Sequence, residues 1–171
     1  TPGALELQQL LAKMVTHGCT AAVMEVSSHA LVQDRTSGCE YDVAVFSNLT
    51  QDHLDFHGTM EAYFQAKLRL FTGLIGGKKG NKRAIVNVDD SYGLRIVERC
   101  PVPVWTYGLK ANADLRAEDV RLSLQGTTFT AVTPLGNFQI KSHLVGEHNV
   151  YNLLAAIGVA LHEGATPEQI H

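Results

Sequence analysis

Apolar residues recur along this chain with two periods, and the changes of period mark out its elements. At the start, Leu7, Leu10, Leu11, Met14 and Val15 fall on one face of a helix from about Gly3 to Thr16, with Gly18 ending it. Thr1-Pro2 has the form of an N-cap followed by a first helical residue. Thr20 to Val26 is a short apolar run that reads as a buried strand, with Glu25 near its carboxyl end. Ser27 then opens a helical turn through Gln33, and Asp42 to Phe46 is a second buried strand. Met60, Tyr63, Phe64, Leu68 and Phe71 predict a helix with one buried face, capped by Thr59 and carrying Glu61 in its first turn. Arg83 to Val88 reads as a third strand, Ser91 to Arg99 as a helix and Val102 to Tyr107 as a fourth strand. Strands alternating with helices predict a parallel sheet.

The period changes after Gly108. Ala113 to Leu124, Thr127 to Thr133 and Phe138 to Leu144 alternate apolar and polar residues, with turns at Gln125-Gly126 and Pro134-Leu135-Gly136-Asn137. This predicts an antiparallel meander, a small sheet beside the main one. A last long helix runs from about Glu147 to Glu163 with Val150, Leu153, Leu154, Ile157 and Leu161 inward and Gly164 behind it. Thr166 and Gln169 stand at capping-box spacing for a further helix start. The predicted fold class is α/β, a mainly parallel sheet flanked by helices with a small antiparallel patch.

Composition adds exclusions. The 171 residues suffice for one domain with a sizeable core, and 45% hydrophobic with 18% charged residues is an ordinary globular balance. A net charge of −3 gives no basic footprint and argues against nucleic acid as a partner. No apolar run approaches membrane-spanning length, and no signal peptide is expected. Cys19, Cys39 and Cys100 are too far apart for a zinc ribbon or disulfide framework, which fits a reducing cytosol. The chain lacks an initiator methionine and stops just inside a helix start, so a piece of a larger protein is expected.

The candidate chemistry lies between Asn48 and Phe71. Asp52, His53, Asp55 and His57 place two carboxylates and two imidazoles in six residues, a density that suits a divalent cation. Lys67 interrupts the apolar face of the helix that follows, so it must snorkel, pair or change its charge state. Glu25, Ser27 and Ser28 would lie beyond the carboxyl end of a strand, where open α/β sheets bind ligands. Arg35 offers a fixed fork suited to an anionic substrate. Bland readings stand beside these: Ser27 and His148-Asn149 as helix caps, Gln33 and Arg35 as surface residues, and His29, His143 and His162 as structural or exposed. The Gly73 to Lys82 stretch reads as a solvated turn. Its GLIGGKK segment has one residue too few between glycines for a phosphate loop and no Ser or Thr after the lysine. Two rival functions are a metal-dependent hydrolase built on Asp52 to His57 and a non-catalytic nucleotide-sugar binding module. A hydrolase of that kind would need neither Lys67 nor the segment from His148 to Asn152.

Four segments, Met24-Glu25-Val26-Ser27-Ser28-His29, Asn48 to Gly58, Tyr63-Phe64-Gln65-Ala66-Lys67 and Gly146-Glu147-His148-Asn149-Val150-Tyr151-Asn152, resemble the Mur ligases. These are ATP-dependent amide-forming enzymes of bacterial peptidoglycan precursor synthesis, and the wording is similar to the MurE type. Folylpolyglutamate synthase shares the plan but fits the wording less well. The resemblance implies that residues 1–171 are the family's central ATP-binding domain, P-loop-NTPase-like in fold. The phosphate loop, the N-terminal UDP-binding domain and the C-terminal amino-acid-binding domain would lie outside the chain, which alone would be inactive. It implies magnesium held by Glu25, His53 and Lys67, the lysine being carbamylated (N6-carboxylysine), with Lys67 and His53 as catalytic residues. It places a UDP-N-acetylmuramoyl peptide at Thr1, Ser27, Gln33 and Arg35, and the nucleotide at Asn149 and Asn152. The implied substrates are that dipeptide, ATP and a diamino acid, meso-diaminopimelate or L-lysine, in the cytoplasm. Asp55 is expected to orient His53, and His57 to lie at the cleft edge.

Overall fold

The computed structural model describes residues 1–75, 77–110 and 112–170. Six strands form one sheet, and their spatial order is their order in the chain. β1 (Val43–Phe46), β2 (Arg83–Asn87) and β3 (Val104–Gly108) run parallel. β4 (Leu115–Ser123) joins β3 in parallel through the pairs Tyr107↔Leu115 and Gly108↔Arg116. β5 (Gly126–Thr133) and β6 (Gly136–Ser142) complete an antiparallel meander. The expected small separate sheet is therefore a continuation of the main one. The Asp114 carboxylate explains the join, since it accepts from both the backbone N–H and the hydroxyl of Thr106 at 2.8 Å and holds the start of β4 against β3.

The helices are α1 (Ala4–Thr16), α2 (Ser28–Val32), α3 (Leu54–His57), α4 (Met60–Thr72), α5 (Ser91–Val97), α6 (Glu147–His162) and α7 (Pro167–Ile170). Side chains alternate across the sheet, and those of β2 at its centre are buried on both faces. On one face α4 and α5 pack Phe64, Leu68, Phe71 and Ile96 onto Ala44, Phe46, Ala84 and Val86. On the other, α6 lays Val150, Leu154, Ile157 and Leu161 over Ile85, Leu115 and Phe129. Complete burial of one such side chain, Phe64 for instance, contributes about 1.5–3 kcal/mol. Gly158 lets α6 sit this close, because a Cβ there would come within 3.1 Å of Ile85.

Local signals account for the helix ends. Ser27 caps α2, Thr59 caps α4 and Asp90 caps α5, each side chain accepting a backbone N–H of the first turn. Thr166 N–H donates to the Gln169 side chain at 2.9 Å, half of the expected capping box. α1 ends as expected, with Gly18 at φ 79° and Cys19 N–H donating back to Met14.

Four expectations need correction or qualification. Thr20 to Val26 forms no strand, and Val23 is 99% exposed. An apolar run becomes a strand only when a neighbour takes up its backbone groups, and among the described residues no ladder forms here. Thr1 is not the cap of α1: Gly3 takes that place, and the Thr1 hydroxyl instead donates to Glu25 O at 2.8 Å. The apolar stripe of α1 is only partly used, with Leu7 buried but Leu10 and Val15 exposed. The stretch from Gly73 to Lys82 is largely solvated, yet Leu74 is core and the buried Lys82 ammonium pairs with Glu40 at 3.3 Å. Gly76 within it lies outside the described residues. No helix among the described residues is long and apolar enough to cross a membrane.

Candidate functional site

The site is assembled at the carboxyl edge of the parallel strands. Beyond β1 the chain is pinned to the end of β2: Asn87 Nδ2 donates to Ser47 O at 2.7 Å, and Leu49 N–H donates to Asp90 Oδ2 at 2.8 Å. Tyr107, buried at the end of β3, donates its hydroxyl to Phe46 O at 3.1 Å. This fixes where the Asp52 to Gly58 segment begins. His53 adopts a left-handed conformation, φ 53°, which turns the chain into the single turn of α3.

His53 N–H donates to Asp52 Oδ1 at 2.7 Å, and the imidazole Nδ1 lies 3.5 Å from the same oxygen. Asp52 therefore holds the place expected for Asp55. His57 is half-buried and has partners on two sides. Its ring stacks on Tyr63 with centroids 4.9 Å apart and planes 15° apart, and its Nε2 lies 2.8 Å from the Ser28 hydroxyl. Burial, and next the neighbouring imidazoles of His29 and His53, hold the His57 ring below the usual histidine range. His29, expected to be structural or exposed, sits among these rings: 4.1 Å from Phe56, 4.9 Å edge-on from His53 and 5.5 Å from His57. Nothing in the local pattern distinguishes it, because its partners come from a segment more than a strand away.

Lys67 is half-buried on α4, its ammonium 5.3 Å from the centre of the Tyr63 ring. Burial pushes its pKa down, and the Glu25 carboxylate pulls it partly back. Glu25 is thus within electrostatic reach of Lys67, although it is exposed and closes no strand. Among the described residues no three His, Cys, Asp or Glu side chains are arranged to hold a metal ion. A lysine cannot ligate as an ammonium. Glu25 and His53 offer an oxygen and a nitrogen donor, and Lys67 could join them only if its amine carried anionic oxygens; so sparse a set would suit magnesium, a cation that keeps several waters and takes few protein ligands.

On one side of these residues Thr1, Ser27 and Arg35 converge. Ser27 N–H donates to the Thr1 hydroxyl at 3.1 Å, and Arg35 Nη1 donates to Thr1 O at 3.3 Å. Gln33 is exposed at the end of α2 and stands apart from that bonded group. At the first turn of α6, Asn149 Nδ2 donates to Val145 O at 2.9 Å, and Asn152 Nδ2 donates to Asn149 Oδ1 at 3.3 Å. Sequence reasoning missed what holds this turn in place. The Asp89 carboxylate accepts from the Tyr151 hydroxyl at 2.8 Å and from the N–H groups of Leu109 and Lys110 at 2.6 and 3.0 Å. Burial, then Asp89, pushes the Tyr151 hydroxyl far above its usual range. The acidic pair after β2 was the available signal. A cavity of about 410 Å³ beside Thr106, Asp114, Arg116 and Thr133 contains none of these residues.

Residues 1–160 match the model of the Mur ligase middle domain. The chain is 49% identical over 172 residues to the UDP-N-acetylmuramoyl-L-alanyl-D-glutamate--2,6-diaminopimelate ligase of Geobacter sulfurreducens, a match covering 99% of this chain and 34% of that protein. A solved structure of a ligase with the same name is 38% identical, with a TM-score of 0.87, over 99% of this chain and 35% of that one. The MurF ligase of Thermotoga maritima, solved in complex with ADP, is 26% identical with a TM-score of 0.59, over 74% of this chain and 29% of that one. The chain spans about a third of the length of the curated relatives it matches.

Proposed function

Because the chain belongs to the Mur ligase family, we propose that it is the central ATP-binding domain of a ligase that joins 2,6-diaminopimelate to UDP-N-acetylmuramoyl-L-alanyl-D-glutamate. The diamino acid is the one in the name of the Geobacter sulfurreducens relative. The observation that carries the reading is the half-buried amine of Lys67, attracted to Glu25 beside the loop that bears His53. The hydrolase alternative gains nothing from this lysine, and the His57 nitrogen it would use already faces Ser28.

The reaction is a phosphoryl transfer followed by an acyl transfer. The γ-carboxylate of the D-glutamyl residue attacks the γ-phosphorus of ATP, the bond to the bridging oxygen breaks, and ADP leaves. The amine of the diamino acid then adds to the acyl phosphate carbon, and collapse of the tetrahedral intermediate expels phosphate and leaves the amide. Magnesium at Glu25, His53 and Lys67 would supply the neutralising charge that a slightly acidic protein lacks. Thr1, Ser27 and Arg35 bind and orient the UDP-sugar peptide, Arg35 by its cationic fork. Asn149, braced by Asn152, presents its amide to the nucleotide. Burial favours loss of a first proton from Lys67 to give the neutral amine, the form that attacks carbon dioxide; an N–C bond forms as a C–O π bond opens, a second proton leaves the nitrogen, and +1 becomes −1 over the two steps.

The test uses the full-length ligase carrying this domain. Phosphate release is expected only when ATP, magnesium, the UDP-sugar dipeptide and the diamino acid are all present. Lys67→Ala is expected to lower turnover about 10²- to 10³-fold with the melting temperature little changed. Turnover that ignores the dipeptide, or near-normal turnover in Lys67→Ala, would refute the reading.

A further inference from the structure

Two groups of residues meet in this crevice; the elements that carry them are joined by an exposed Arg69–Asp34 ion pair and, in the interior, by the hydrogen bond between Ser28 and His57. Thr1, Ser27 and Arg35 belong to the segment around α2; His53 and Lys67 belong to α3 and α4 and the turn before them. Ser28, the first residue of α2, is a polar side chain only 2% exposed. A hydroxyl so deeply buried needs a partner, and its partner is His57 Nε2 at 2.8 Å, from 29 residues further along the chain. The other side of that junction is rigid. The His57 ring lies flat on Tyr63, itself 6% exposed on α4 and the ring over which Lys67 extends. His29 follows Ser28 and packs its ring on Phe56, the residue before His57. Two successive residues of α2 thus grip two successive residues of α3.

We propose that His57 is a positioning residue, which through Ser28 fixes the first turn of α2 and with it the contacts that Ser27 and its neighbours make to the anionic sugar-peptide substrate. The inference rests on the ligase reading above. Ser27 caps the turn that Ser28 begins, accepts from Ala30 N–H at 3.2 Å, and donates its own N–H to the Thr1 hydroxyl oxygen. A shift of Ser28 is therefore a shift of Ser27 and of the Thr1 to which Arg35 is bonded. The nucleotide contacts on α6 are held separately, by Asp89 and Tyr151, and do not depend on this bond. The consequence is selective: loss of the bond weakens the hold on one substrate and spares the other.

The experiment is a double-substitution cycle in the full-length ligase, with Michaelis constants measured separately for the UDP-sugar dipeptide and for ATP. His57→Phe keeps the stacked ring and removes the nitrogen; Ser28→Ala removes the hydroxyl. Each is expected to raise the KM for the dipeptide about fivefold, with the KM for ATP within about twofold of wild type. The double variant is expected to be no worse than the worse single one, because both remove the same bond. His57→Gln, whose amide nitrogen can reach the same hydroxyl, is expected to recover most of the loss. Equal rises in both Michaelis constants, independent effects of the two substitutions, or an unchanged dipeptide KM would overturn the proposal. Should His57→Phe fold poorly, Ser28→Ala and His57→Gln decide by the same split. A wild-type enzyme that forms no amide would defeat the ligase reading and this inference with it, whereas an active wild type with silent variants defeats this inference alone.

Discussion

His57 responds to acid in a way its surroundings dictate. Burial and two neighbouring imidazoles hold it below the ordinary value of 6.5, so the unfolded chain takes up the proton first as pH falls. Between the two values the unfolded state binds more protons, and stability present above the unfolded value is lost as pH drops below it. His57→Phe is therefore expected to lose less melting temperature than wild type between about pH 7.5 and about pH 5.5. Equal losses in calorimetry would show that the ring is not what resists the proton. At this scale, what was legible depended on sequence distance. The Ser27 and Thr59 caps and the anomaly of Lys67 could be read, because each is decided within one turn of helix. The contacts of Ser28 with His57 and of Asp89 with Tyr151 could not, because they join residues 29 and 62 positions apart.

Among the elements, α5 shows how closely helix and strand are fitted. Gly93 lies against the end of β2, where a Cβ would run into the carbonyl oxygen of Asn87. A backbone atom there cannot rotate away. Gly93→Ala is expected to cost about 1–3 kcal/mol, read as a lower urea midpoint at unchanged slope. An unchanged midpoint would mean that α5 docks less tightly than described. α4 and α6 were legible because a 3.6-residue stripe and a cap agree, and nothing distant needs to be known. Thr20 to Val26 was misread for the opposite reason. Its composition is that of a buried strand, but strand formation is settled by a neighbour's backbone, which a single stretch of sequence does not contain.

For the whole molecule, the sheet and its two helix layers followed from the alternation of strand and helix, while the continuity of the meander with the parallel strands did not. The same structure sets a gradient of local stability. β2, flanked by strands on both sides and covered on both faces, is expected to hold its amide protons longest, and residues 20–26, outside any ladder, to exchange them within the dead time of a hydrogen-exchange measurement. Slow exchange across residues 20–26 would show that this segment is paired after all. The seam between β3 and β4 has a mechanical consequence. Among the described residues only Tyr107↔Leu115 and Gly108↔Arg116 pair across it, whereas α6 packs on β2, β3 and β4 together. Under tension drawn across the sheet the backbone ladder is the weaker member there. α6 acts as a splint over the joint, and the stiffness of the molecule at that point is the stiffness of one helix and the side chains beneath it.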